Sequence, residues 1–196
     1  MCIRDSGKAD WLASLGYIGF AVDYYGDGRT ARDETQAAEM MTVLQNDRAT
    51  LLVRMTAALD TARTLPDADA TRVVAIGFCF GGKAVLDLAR SGATLSAVVP
   101  FHGIFDAPPS GCSKMNTSVL VLHGWDDPLA TPDQAVGLAK ELTGHCDDWQ
   151  MLAFGHTSHA FTNPAAQNPD AGMAYAGSSN DRAFAAMQAF LTERFA

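Results

Sequence analysis

The stretch Val73-Val-Ala-Ile-Gly-Phe-Cys-Phe-Gly-Gly-Lys-Ala-Val-Leu-Asp-Leu-Ala-Arg90 decides how the rest of the chain is read. Val73 to Ile76 is a β-branched apolar run of the length of a buried strand. Ala84 to Arg90 reads as a helix with a broad apolar surface from Ala84, Val85, Leu86, Leu88 and Ala89. Between them Gly77-Phe78-Cys79-Phe80-Gly81-Gly82 has the form Gly-x-nucleophile-x-Gly, with cysteine where serine is commoner. A sharp strand-to-helix turn forces its central residue into strained backbone angles, and a side chain on a neighbouring glycine would collide. The turn lifts the thiol to the carboxyl edge of the sheet, beside the positive end of the helix, where a thiolate and later an oxyanion are favoured. The competing reading is a small buried cysteine, since cysteine is among the most buried residue types. The clean strand before it and the clean helix after it favour a functional thiol.

Working outward, strands and helices alternate. Lys8 to Leu15 reads as the end of an amphipathic helix with Gly16 as its C-cap. Tyr17 to Val22 reads as a strand, followed by the loop Asp23 to Gly28. Thr35 to Met41 and Asp47 to Thr64 are predicted helices, the second with Leu51, Leu52, Met55, Leu59 and Ala62 on one face. Strands are predicted at Leu95–Val99, Ser118–Leu122 and Trp149–Phe154, and helices at Asp133–Leu142 and Asp181–Phe195, the last with Phe184, Met187 and Phe190 inward. Near-continuous apolar strands separated by helices predict an α/β fold: a three-layer α/β/α sandwich around a mostly parallel sheet. Active groups in such a sheet belong at the carboxyl ends of its strands.

Composition narrows the function. A chain of 196 residues, 48% hydrophobic and 18% charged, suits one globular domain. A net charge of −8 without a basic cluster argues against nucleic acid as a partner. No apolar run approaches the roughly 20 residues that span a bilayer. Cys2, Cys79, Cys112 and Cys146 show no Cys-x-x-Cys pairing, so neither a zinc site nor a disulfide framework is indicated, and free thiols fit the cytoplasm. The opening Met-Cys-Ile-Arg-Asp-Ser-Gly carries no signal-peptide pattern. Residues 1–6 read as a non-native or unstructured leader, residues 7–196 as the domain, and the strands that should precede the first helix as missing.

Three residues sit where an acyl-transfer triad would put them: Cys79 after the elbow strand, an aspartate after the next strand but one, and a histidine after the last. This order of nucleophile, acid and histidine is that of the α/β-hydrolase fold. Histidine takes or stabilises the thiol proton and later returns a proton to the leaving group. The carboxylate fixes the imidazole tautomer and stabilises its charged form. The amide of Phe80, the residue after the nucleophile, is a donor for the developing oxyanion. Asp126 competes with Asp127 for the acid, and either is also a fitting N-cap or turn residue. His156, three residues before His159, reads as a loop residue; His102 and His123 read as pocket-lining or structural, and His145 and Cys146 as surface residues.

Gly77-Phe-Cys-Phe-Gly-Gly82, His123-Gly-Trp-Asp-Asp-Pro128 and Ser158-His-Ala-Phe-Thr-Asn-Pro164 together resemble the dienelactone hydrolase family, and Tyr17-Ile-Gly-Phe-Ala-Val-Asp-Tyr-Tyr-Gly-Asp-Gly28 is similar to the segment following that family's first long helix. The resemblance covers residues 9 to 196. Position by position it implies Cys79 as nucleophile, Asp127 as acid and His159 as base. It implies a carboxylic ester hydrolase of the carboxymethylenebutenolidase kind, acting on a small ester or lactone through a thioester, with no cofactor or metal. Family members begin with strands ahead of the first long helix, and a loop there supplies a second oxyanion amide and an acidic residue that handles the thiol proton. The resemblance does not reach that part.

Tyr24, Phe78, Trp125 and Phe161 are candidates to wall an apolar pocket, and Arg29 to meet a substrate carboxylate; the competing readings are core aromatics and a solvated loop charge. The alternative to an enzyme is a catalytically silent fold of the same type that serves as a binding or interaction module. A nucleotide-binding turn is disfavoured, because Phe78 and Phe80 stand where a phosphate needs bare backbone.

Overall fold

The structure, a computed structural model, describes residues 3–196, so the first two residues of the expected leader lie outside the described residues. The chain divides into two compact units at Ala70/Thr71, each described by itself.

The first unit is helical: α1 (Ile3–Ser14), α2 (Glu34–Asn46) and α3 (Arg48–Arg63). Gly16 ends α1 with a φ of 88°, and Tyr17 N–H donates to Leu12 C=O while Gly16 N–H donates to Ala13 C=O. This is the Schellman closure expected of a C-terminal glycine. Asp47 caps α3 by accepting from Thr50 N at 2.9 Å and from the Thr50 hydroxyl at 2.7 Å. Leu51, Met55 and Leu59 are buried, as the helical period required.

The predicted strand at Tyr17–Val22 is not one: the segment joins no ladder among the described residues, and Ile18 and Phe20 are exposed. Its β-branched and aromatic composition favours extended backbone, but a strand exists only with a hydrogen-bonded partner.

The second unit is built on β1 (Val74–Phe78), β2 (Ala97–Phe101), β3 (Ser118–Gly124) and β4 (Trp149–Phe154), all parallel, in that spatial order. The connections run through α4 (Phe80–Arg90), a loop, and α5 (Pro132–His145); α6 (Gly177–Phe195) follows β4. Parallel neighbours require crossover connections of one hand, which puts the crossovers on a single face. Period-2 alternation then divides β2: Pro100 points at Gly82 of α4, whereas the Phe101 ring lies 4.9 Å from the Phe184 ring of α6. Helices therefore cover both faces of a four-stranded parallel sheet. The core between them includes Leu86 and Leu88 of α4, Val98 and Val99 of β2, every residue of β3, and Met187 and Leu191 of α6.

Arg90, fully buried near the end of α4, holds one crossover to another. It donates to Glu141 of α5 at 2.8 Å and to the backbone oxygens of Phe105 at 2.8 Å and Asp106 at 3.2 Å. A planar guanidinium satisfies this many acceptors from one buried position.

Cys146, expected at the surface, is buried, with its thiol against the carbonyl oxygens of Thr117 at 3.3 Å and Asp148 at 3.2 Å. It follows α5, where Met115 bridges back to it, so the turn that ends the helix carries it inward. A second element escaped the periodicity altogether: β5 (Gln167–Asn168) and β6 (Met173–Ala174) form a small antiparallel ladder around a short 3-10 turn at Pro169–Ala171.

Candidate active site

The site is assembled from four strand ends. Cys79 stands between β1 and α4 with φ 54° and ψ −117°, the strained angles that the Gly-x-Cys-x-Gly pattern predicted. Gly77 makes the turn possible: a Cβ there would stand 2.7 Å from Gly82 N and closer still to the Gly81 carbonyl. Gly82 lets α4 approach β2, since its Cβ would stand 2.7 Å from Gly103 Cα. Phe80 opens α4, so its amide is among the first-turn donors that have no acceptor within the helix.

Asp127 and His159 meet at 2.7 Å through Oδ2 and Nδ1, and both are about 1% exposed. The other Asp127 oxygen, Oδ1, accepts from Leu129 N at 2.8 Å, which fixes the carboxylate plane. A carboxylate held this way accepts from Nδ1–H and leaves the lone pair of the neutral imidazole on Nε2. Nε2 is buried and makes no hydrogen bond among the described residues, yet the Cys79 thiol is among the groups that act on this ring. Burial works against the imidazolium. The Asp127 hydrogen bond, the nearby Cys79 thiol and the charges on both outweigh it, and the pKa is pushed up to about 9.

Asp126, the rival acid, is exposed and lies 3.9 Å from the exposed His156. The acid loop and the histidine loop are joined through backbone: Asp126 N–H donates to Thr157 C=O at 3.0 Å, and a Cβ on Gly124 would stand 2.5 Å from the same oxygen. His159 is clamped in turn, its N–H donating to Gly172 C=O at 2.9 Å and its C=O accepting from Ala174 N at 3.1 Å. The β5–β6 turn, unseen in the sequence, is what aims His159.

Two further histidines surround the pair. His102 has φ 36°; its Nδ1 accepts from Cys79 N–H at 3.2 Å and its Nε2 lies 2.8 Å from Thr162 Oγ1. Its ring meets the His159 ring edge-on at 5.1 Å. The signal for it was present: β1 and β2 pair Phe78 with Phe101, so the next residues, Cys79 and His102, leave the sheet side by side. His123 is fully buried between the Phe105 and Trp125 rings, and among the described residues neither ring nitrogen is hydrogen-bonded. Burial lowers its pKa against the pull of Asp127, and the His159 charge acts with burial.

The aromatic candidates part ways. Phe78 stacks on Phe101 at 4.8 Å and Trp125 is 41% exposed, whereas Phe161 is fully buried against His102 and Phe154. Tyr24 and Arg29 lie in the first unit. The Tyr24 ring tilts against Tyr25 at 4.7 Å, both their carbonyls accept from Arg54, and Arg29 pairs with Asp27 at 3.1 Å in solvent. Among the described residues no cluster of three or more His, Cys, Asp or Glu is placed to hold a metal ion, and no helix is long and apolar enough to cross a membrane.

A strained strand-to-helix turn bearing Cys79 after the first of four parallel strands, with an Asp–His pair on later strand ends, is the arrangement of an α/β-hydrolase fold. The sequence model of the dienelactone hydrolase family matches residues 4–195, and the chain belongs to that family. Among solved structures it is similar to m3DLH, with 40% identity and a TM-score of 0.89 over 97% of this chain and 80% of that one. It is equally close in fold, at 36% identity and a TM-score of 0.89, to a dienelactone hydrolase-like promiscuous phosphotriesterase from metagenomic libraries, covering 96% of this chain and 79% of that one. A relative in Methylorubrum extorquens, named "Putative carboxymethylenebutenolidase", is 27% identical over 79% of this chain and 58% of its own length.

Proposed function

We propose that the chain, read as one hydrolase domain over residues 7–196, hydrolyses small esters or lactones through a Cys79–His159–Asp127 triad and a thioester acyl-enzyme. The observation that carries this reading is a strained, half-buried cysteine and a buried Asp–His pair that both meet the His102 ring, with His159 Nε2 making no hydrogen bond among the described residues. The family and the names of its relatives support the substrate class.

In the resting site the His159 imidazolium, stabilised by Asp127, favours the Cys79 thiolate. The thiolate sulfur attacks the ester carbonyl and forms the S–C bond, while the oxyanion takes the Phe80 amide hydrogen bond. As the tetrahedral adduct collapses, the C–O bond breaks and His159 gives its proton to the leaving alcohol. Neutral His159 then takes a proton from water, the hydroxide adds to the thioester, and the C–S bond breaks. Acid is released, and the thiolate–imidazolium pair is restored. Phe78, Trp125 and Phe161 are proposed as pocket walls. Cytoplasmic residence is proposed from the cysteine usage of the sequence alone.

The test is chromophore release from aryl acetates and hydrolysis of a small lactone by the wild-type chain and by Cys79→Ala. Turnover that disappears in the variant supports the reading. A wild type that is folded and inert on every substrate leaves a silent binding module.

A further inference from the structure

We infer that His102 is a positioning residue, strapping the nucleophile turn to the histidine loop through Cys79 N–H and Thr162. The inference rests on the proposed roles of Cys79 and His159 and adds a residue to them.

The geometry is specific. Cys79 N–H is shared between Phe101 C=O at 3.1 Å and His102 Nδ1 at 3.2 Å. Because Nδ1 accepts, it carries the lone pair, and the proton of the neutral ring sits on Nε2. Nε2–H then donates to Thr162 Oγ1 at 2.8 Å. Thr162 lies three residues beyond His159 in the same loop, buried beside the fully buried Phe161. One neutral imidazole thus links the backbone of the nucleophile to the loop of the base, with a single allowed tautomer. It is itself held at the carboxyl end of β2, its N–H donating to Leu122 C=O at 2.8 Å. Its positive φ is a backbone cost that a purely space-filling residue would not need. Sub-ångström placement of a base against its nucleophile governs reactivity, so a strap between their two loops acts on rate without touching substrate.

Three variants separate this role from simple packing. Thr162→Val removes one buried oxygen and little volume. His102→Phe keeps the ring and loses the acceptor. His102→Asn loses the ring but keeps an acceptor at the Nδ1 position, and asparagine tolerates positive φ. The readout is the rate of Cys79 alkylation by iodoacetamide at neutral pH, followed at the Cys79 peptide by mass spectrometry, with melting temperatures as the fold control.

The strap predicts roughly ten- to hundredfold slower alkylation in His102→Phe and Thr162→Val. It also predicts a double variant no slower than the worse single, and faster alkylation in His102→Asn than in His102→Phe. Thr162→Val carries the test alone if His102→Phe does not fold. Unchanged or faster alkylation in Thr162→Val, additive losses in the double variant, or His102→Phe outperforming His102→Asn would overturn the inference. The readout needs no ester. A wild type that turns over no substrate therefore contradicts the hydrolase reading alone, while the variants still decide the strap.

Discussion

Gly172 lies against the ring of Pro128: a methyl group added at Gly172 would stand 2.7 Å from Pro128 Cδ and closer still to Cγ. Pro128 follows Asp127, and Gly172 C=O accepts the His159 N–H. One backbone position therefore sets the spacing of the acid loop and the histidine loop. Its φ of 69° is open to glycine and costly for other residues.

Gly172→Ala is expected to lower stability by about 1–3 kcal/mol, from left-handed strain together with overpacking. Ester turnover should fall further than the lost stability explains, because the clash separates Asp127 from His159. Thermal melting and kcat/KM measured on the same preparations check this. Wild-type kcat/KM in the variant would contradict it.

Asp127 and Asp126 are adjacent in sequence and differ in setting: Asp127 is buried against His159, and Asp126 is exposed. Asp127→Asn leaves the shape but offers an amide to Nδ1, which favours the wrong tautomer; a loss of about 10²–10⁴ in kcat is expected. Asp126→Asn, at an exposed carboxylate, should stay within about threefold of wild type. Parallel kinetics on the two variants decide between them.

The raised pKa of His159 gives a signed dependence on pH. The folded-state value is about 9 against 6.5 for the free side chain. The stability contributed by this protonated group is therefore complete below about 6.5 and lost as pH rises through about 9. The difference of 9 − 6.5 corresponds to roughly 3 kcal/mol. The melting temperature of the wild type should fall between neutral and alkaline pH by more than that of His159→Gln. By NMR, the His159 Cε1–H resonance should titrate near 9 and move down in both Asp127→Asn and Cys79→Ala. A midpoint near the free value in the wild type contradicts the pairing.

Glycine substitutions should sort by geometry. Gly77→Ala drives a methyl into backbone at the Cys79 turn, where no flexible side chain gives way. A loss of more than about 3 kcal/mol, or an insoluble protein, is expected. Gly137→Ala, in the exposed interior of α5 with open space around it, should stabilise by about 0.5–1 kcal/mol. Chemical denaturation of the two variants checks both signs.

Much of the candidate site was legible because its signals are local. The Cys79 turn announces itself through glycine spacing between an apolar strand and a helix, and Asp127 and His159 each follow a strand in a short motif. The parallel sheet followed from strand and helix alternation. What stayed hidden depends on pairing that periodicity does not encode. Tyr17–Val22 has strand composition and no ladder. The β5–β6 turn that clamps His159 has strands of two residues, too short for any alternation to register. His102 carries no motif, and its role appears only when β1 and β2 are set in register. Cys146 looked like a surface residue at the end of a helix, and the turn back to Met115 buries it.

The central claim is that Cys79 forms and loses an acyl group. Intact-mass spectrometry after rapid mixing with an activated acetyl ester tests it directly, beside Cys79→Ala. The account predicts a single added acetyl group on the wild type, mapped to Cys79, decaying as acid is released and missing from the variant. A folded wild type that stays unmodified, or an adduct that forms equally on Cys79→Ala, would contradict it.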